Sequence, residues 1–278
     1  MRAAAIQLNS QEDKARNLET ADRLTRAAAA DGADFILLPE KWTALGTPDD
    51  YRRAAEPLDG GGPAIDWARS TARELGVDLV AGSISEQREG HDKLGNTSIH
   101  FGPDGEIKAV YRKIHMFDVV VGGQEYRESE AEEPGDEIVL SETRDGVPFG
   151  MTVCYDLRFP ELYRILAIRG ARILLVPAAF TKITGQAHWE LLNRARAIEN
   201  QAFVIAADQI GSHPPDKESF GGSLIVDPWG EVLARAADEE TFIAADLDLA
   251  RQDEIREQLP SLANRMPAAY AWPQEVSA

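Results

Sequence analysis

Apolar and polar positions follow two rhythms along this chain, and the rhythms alternate. Short apolar runs of strand length fall at Ala3–Leu8, Phe35–Leu38 and Val77–Ile84. Between them apolar side chains recur at helical spacing. Leu18, Ala21, Leu24 and Ala28 mark one face of a helix predicted over Lys14–Ala30. Pro63–Leu75 opens with a proline in its first turn and stops before Gly76, the expected ends of a second helix. Thr97–Phe101 and Glu106–Tyr111 flank Gly102-Pro103-Asp104-Gly105, which reads as a hairpin.

The same order recurs further on. Phe149–Val153 reads as a strand, Pro160–Arg169 as a helix, Arg172–Val176 as a buried strand, His188–Glu199 as a helix and Ala202–Ala207 as a strand. Ser223–Val226 and Glu231–Ala234 flank Asp227-Pro228-Trp229-Gly230, a second hairpin. The most polar stretch, Gln124–Glu137, is an acid-rich excursion between the halves. This pattern predicts an α/β chain with an internal repeat, forming one domain over residues 1–278. The hairpins add antiparallel edges and make the sheets mixed. Two such sheets can stack with helices outside, a four-layer α-β-β-α sandwich that periodicity permits without requiring.

Composition narrows the function. A chain of 278 residues with 44% hydrophobic residues can bury a core of its own. No apolar run approaches the roughly 18 residues of a membrane span. The N-terminus turns polar too soon for a signal peptide, so a cytoplasmic location is expected. A formal charge of -18 argues against binding phosphate backbones, so no nucleic-acid partner is expected. One cysteine permits no internal disulfide, and one Cys with five scattered His does not suggest a metal site.

Three residues stand where chemistry is done in open α/β sheets, at the carboxyl ends of strands. Cys154 follows the apolar run Phe149–Val153, and a helix begins near Pro160. A thiol on such a turn is presented to a ligand, although a lone Cys beside a strand also suits a small buried hydrophobe. Glu40 closes Phe35-Ile36-Leu37-Leu38-Pro39-Glu40, where a carboxylate shielded from water could act as a base or simply cap a helix. Lys113 follows the first hairpin, and its ammonium suits either an oxyanion or plain solvent.

The segments LLPE, YRKIHMFD and GMTVCYDLRFPELYR resemble, in order and separation, the three signature segments of the nitrilase superfamily of carbon–nitrogen hydrolases. The likeness runs on through AFTKITGQAHWELLNRARAIENQAFVIAADQ and GGSLIVDPWGEVLARA. Cys-Tyr-Asp is similar to the amidase branch, whereas true nitrilases usually carry Cys-Trp-Glu there. HWELLNRARAIENQ, DPWGEV, AGSISE and NTSIHFGPDG resemble the branch of omega-amidase and deaminated glutathione amidase. Ser261–Tyr270 and Gly211–Ser219 depart from that branch.

The resemblance implies the α-β-β-α sandwich and a homodimer or larger assembly. It implies Cys154 as nucleophile, Glu40 as base and Lys113 as oxyanion stabiliser, with Glu128 orienting Lys113. Amide hydrolysis through a thioester would follow, with no metal or organic cofactor. Tyr155, Phe180 and Thr181 would line the pocket. A small carboxylate-bearing amide needs a cation, for which Arg158 is the candidate, with Arg112 and Arg196 as others. Competing readings are a hydrolase of N-carbamoyl amines or aliphatic amides, a non-catalytic interaction protein of this fold, and an unrelated Cys-His enzyme using His115.

Overall fold

The computed structural model describes residues 1–270. The first half runs β1 (Arg2–Gln7), α1 (Lys14–Ala30), β2 (Phe35–Leu37), α2 (Pro48–Ala54), α3 (Pro63–Leu75), β3 (Asp78–Val80), β4 (Ile84–Glu86), β5 (Gly95–Phe101) and β6 (Ile107–Arg112). A separate hairpin follows, β7 (Asp118–Val121) with β8 (Gln124–Arg127). The second half runs β9 (Leu140–Glu142), β10 (Pro148–Gly150), α4 (Pro160–Ile168), β11 (Ile173–Ala178), α5 (Lys182–Asn200) and β12 (Phe203–Asp208). It continues through the hairpin β13 (Ile210–His213) and β14 (Lys217–Phe220), then β15 (Leu224–Val226), β16 (Val232–Arg235), β17 (Thr241–Asp246) and α6 (Leu249–Gln258).

Two mixed sheets result. One has the order β17-β1-β2-β3-β5-β4, with β6 also on β5; the other is β16-β15-β12-β11-β10-β9. In each, three parallel strands (β1-β2-β3 and β10-β11-β12) are followed by two antiparallel ones. Each first strand also carries an antiparallel neighbour, β17 on β1 and β9 on β10. The predicted repeat is therefore present in the topology.

Alternation of side chains across a strand sorts the layers. Ala3, Ala5, Phe35 and Leu37 face the other sheet and join its core, where Phe35 meets Phe149 edge-on at 5.1 Å. Ala4, Ile6, Ile36 and Leu38 face the opposite way, onto Ala21, Leu24 and Ala28 of α1 and Ala64, Ala68 and Ala72 of α3. Helices α4 and α5 cover the second sheet with Leu162, Leu166, Trp189 and Ala197. The order is α-β-β-α.

The structure departs from the sequence pattern in several places. The expected strand Val77–Ile84 is two strands, broken at Ala81–Ser83. Gly82 there has φ of 45°, and a Cβ on it would lie 1.9 Å from the Pro39 carbonyl oxygen. The chain must bend at this point to pass beneath the segment that leads to Glu40. The strand Phe149–Val153 keeps its ladder only through Gly150. The second-half helix begins at Lys182, well before His188. The segment Gly211–Ser219, which departs from the branch resemblance, lies within the β13–β14 hairpin. Strand β17 and helix α6 had no counterpart in the pattern.

Candidate active site

The ends of four strands converge where the two sheets meet. Glu40 follows β2 of the first sheet, and Cys154 and Ala179 follow β10 and β11 of the second. The Glu40 N–H donates to the Ala178 carbonyl at 3.4 Å, and the Ala179 N–H donates to Glu40 Oε2 at 2.8 Å. The Glu40 carboxylate is thus held from the opposite sheet. Its other oxygen accepts from Lys113 Nζ at 3.0 Å and Asn96 Nδ2 at 2.8 Å.

Lys113 leaves the end of β6 and is only 1% exposed. Its ammonium also meets both Glu128 oxygens, at 2.9 and 2.8 Å. Burial works against this charge, but Glu128 and Glu40 outweigh it and hold the Lys113 pKa well above the ordinary value. Glu128 in turn accepts from the Phe117 N–H at 2.7 Å. Burial would raise its pKa; the charges of Lys113 and Lys41 prevail and keep it below the usual carboxylate range.

Cys154 occupies the left-handed region, φ 48°, between an extended Val153 and a tight turn over Cys154–Arg158. A non-glycine residue there is strained, and such strain persists only where the surroundings impose it. Here the buried Asp156 imposes it. Its carboxylate accepts from the Val153 N–H at 2.8 Å, the Tyr111 hydroxyl at 2.6 Å, and His115 through both its backbone N–H (3.2 Å) and Nδ1 (2.7 Å). The Arg196 guanidinium fixes the next residue by donating twice to the Leu157 carbonyl, at 3.0 and 2.7 Å. Burial pushes the Cys154 thiol well above its ordinary pKa, and the Glu40 charge adds to this while Lys113 opposes it. At rest the sulfur is a neutral thiol beside a carboxylate.

These groups open onto a cavity of about 180 Å³. That volume suits a small molecule rather than a drug-sized one. Glu40, Lys113, Glu128 and Cys154 all line it, as do Tyr155, Arg158, Phe180 and Thr181. The other candidates separate. Arg112 is tied to Glu86 by two contacts of 2.7 Å. Arg196 serves the Leu157 carbonyl and is not in the cavity wall, so it is not available to a substrate carboxylate. His115 is engaged by Asp156 and stacked on Phe159 at 3.5 Å, which leaves the Cys-His reading without a base at the thiol.

Among the residues of the site not singled out from the sequence are Asn96 between Glu40 and Glu128, Lys41, Tyr51, Glu132 and Lys217. Lys41 had one available signal, its place directly after Glu40. Among the described residues, Arg158 and Lys217 are the cavity-lining cations with no carboxylate partner. Arg158 lies over the Phe180 ring at 5.1 Å and Lys217 over the Tyr126 ring at 4.5 Å. Among the described residues, no cluster of His, Cys, Asp and Glu could hold a metal ion, and no helix is long and apolar enough to cross a membrane.

The bend at Gly82 supports this geometry from beneath. Gly82→Ala is expected to cost about 3 kcal/mol of stability, because a β-carbon would meet the backbone before Glu40. It should also lower turnover by displacing that carboxylate. Urea unfolding alongside a rate assay checks both; an unchanged midpoint would mean that the bend can relax.

Two stacked mixed sheets with a thiol, a carboxylate and an ammonium at their shared edge describe an enzyme suited to nucleophilic attack on an acyl carbon. The chain belongs to the carbon-nitrogen hydrolase family, whose model matches residues 2–257. It is 39% identical to Omega-amidase NIT2 of Xenopus tropicalis over 97% of this chain and 96% of that one. Among solved structures it is similar to the C. elegans NitFhit protein, with a TM-score of 0.91 and 34% identity over 97% of this chain and 66% of that longer one. It is also similar to Saccharomyces cerevisiae Nit3, of the nitrilase superfamily, with a TM-score of 0.85 and 31% identity over 94% of each chain.

Proposed function

We propose that this hydrolase is an amidase that converts the terminal carboxamide of a small carboxylate-bearing substrate to acid and ammonia. The observation that carries the reading is the placement of the Glu40 carboxylate, bridged to Lys113, beside the strained Cys154. Glu40 takes the thiol proton as sulfur attacks the amide carbon. The oxyanion is stabilised by the Lys113 ammonium and the Tyr155 N–H. Glu40 passes the proton to the leaving nitrogen, the C–N bond breaks, and ammonia departs. A thioester remains on Cys154. Water then gives a proton to Glu40 and attacks the thioester, and the C–S bond breaks. The acid leaves as Cys154 recovers its proton. Glu128 acts through Lys113 by holding it in place. These steps use the side chains of Glu40, Lys113 and Cys154 and the backbone N–H of Tyr155.

The substrate class draws on the omega-amidase relatives and on the two cavity cations without carboxylate partners. Arg158 would take the substrate carboxylate while Tyr155, Phe180 and Thr181 enclose its chain. The same reading has one domain over residues 1–278, of which 271–278 lie outside the described residues. It has a cytoplasmic location and a homodimer, which fits the exposed apolar side chains Leu191, Ile198 and Trp229.

Ammonia release from 2-oxoglutaramate, deaminated glutathione and simple aliphatic amides, measured side by side, tests the substrate class. Arg158→Met should raise KM for the carboxylate-bearing amides roughly 10- to 100-fold, the worth of a charge-assisted hydrogen bond, and leave neutral amides unchanged. A preference for neutral amides would move the assignment to an aliphatic amidase with the chemistry intact.

A further inference from the structure

The ion pairs do not stop at Glu128. Lys41 Nζ lies 3.4 Å from Glu128 Oε1 and 2.8 Å from Glu132 Oε1. Glu132, Lys41, Glu128, Lys113 and Glu40 therefore form an unbroken row of alternating charge that ends beside the Cys154 thiol. None of the five side chains is more than 10% exposed. Lys41 Nζ also sits 4.3 Å from the centre of the Tyr51 ring, and Lys41, Tyr51 and Glu132 all face the cavity.

Three carboxylates and two ammoniums leave one negative charge uncompensated, and buried charge without compensation is costly. One proton on a carboxylate balances the row. The hydrogen bonds favour one carboxylate as its carrier. Glu40 accepts from Lys113, Asn96 and Ala179, and Glu128 from Lys113 and Phe117. Neither Glu132 oxygen has a well-directed hydrogen bond, although Lys41 is close.

We propose that Lys41 and Glu132 are positioning residues for the reaction: Lys41 holds Glu128 against Lys113, and the proton on Glu132 governs how much of the Lys41 charge reaches them. The inference rests on the amidase reading above. The charged and titratable groups facing Glu132 are Lys41, Glu128, Lys113 and Tyr51, and Lys217 of β14 acts on Lys41 and Glu128 from the cavity wall without an ion pair to the row. Burial raises the Glu132 carboxyl, Lys41 draws it down and Glu128 pushes it up again, leaving it at about 7. Below that pH Glu132 is neutral, and the Lys41 charge acts on Glu128. Above it the new carboxylate claims Lys41, and the row gains a negative charge. That charge opposes both thiolate formation at Cys154 and the oxyanion at Lys113. Activity is thus lost as pH rises through about 7.

The test uses two readouts across pH 5.5–9, a span of roughly 1.5 to 2 units on either side of neutrality. One is kcat/KM for amide hydrolysis; the other is the rate of Cys154 alkylation by iodoacetamide, which needs no substrate. Glu132→Gln keeps the shape and fixes the neutral state. It should remove the inflection near 7 from both profiles and exceed the unaltered protein about tenfold at the alkaline end. Lys41→Met should lower kcat about tenfold with little change in KM, and Lys41→Arg should restore most of it. Glu132→Gln profiles that superimpose on those of the unaltered protein would overturn the proposal. So would a Lys41→Met variant that melts earlier but keeps its kcat and pH profile. If no amide is hydrolysed the amidase reading fails, while the alkylation profiles still decide the role of Glu132.

Discussion

Cys154→Ala is expected to abolish turnover, with a fall in kcat/KM of roughly 10⁵-fold or more, while the protein stays folded. In the proposed mechanism the sulfur is the atom that becomes acylated, and the sequence holds no other cysteine to replace it. The fold should survive because Asp156, Tyr111, His115 and Arg196 fix the turn without using that sulfur. Alanine must still accept a left-handed backbone, so a melting temperature a few degrees lower is consistent with intact structure. Ammonia release gives the rate, and intact mass after exposure to substrate shows whether an adduct forms. Near-normal hydrolysis by this variant would remove the thioester mechanism altogether.

Glu40→Gln should lower kcat/KM by about 10²- to 10⁴-fold, the range for loss of a positioned base. The buried thiol has its pKa pushed well above the ordinary value, so little thiolate exists before a base acts. A glutamine keeps one acceptor oxygen, which can serve Asn96 and Lys113 or the Ala179 N–H but not both sides, and it cannot take the proton. Lys113 keeps both oxygens of Glu128, so its charge stays paired and the variant should fold. Mixed with substrate and sampled by intact mass, it should show no rapid acylation. A thioester that accumulates at the normal rate would mean that another group removes the proton.

How much of this was legible in the sequence depends on how local each signal is. Helices α1 and α3 appear with the bounds predicted, because apolar spacing, a first-turn proline and the left-handed Gly76 lie within the segments themselves. Helix α6 has no apolar stripe to read; its buried side chains are Gln252 and Ile255. The hairpins Asp118–Arg127 and Ile210–Phe220 stand outside both main sheets and carry mixed faces. At the site, Glu40, Lys113 and Cys154 could be found because each ends a strand and the three sit in recognisable segments. Glu128 came from resemblance alone. Asn96, 56 positions from Glu40 in the chain, and the Lys41–Glu132 pair depend on tertiary pairing that no spacing rule encodes. The cation candidates were separated by their partners: Glu86 holds Arg112, the Leu157 carbonyl holds Arg196, and Arg158 faces the cavity.

The repeated halves divide the labour unequally. Cys154 follows β10, whose counterpart β1 runs into Leu8-Asn9-Ser10; Glu40 follows β2, whose counterpart β11 runs into Ala179-Phe180-Thr181. A symmetric pair of half-chains would present every such position twice, and a change useful as a base in one copy would appear uselessly in the other. Within this one chain the two copies differ, with the Glu40 carboxylate and the Lys113 ammonium drawn from one and the Cys154 sulfur from the other. Neither half then holds a working site, so recovered turnover during refolding reports the docking of sheet on sheet and lags behind any probe of helix content.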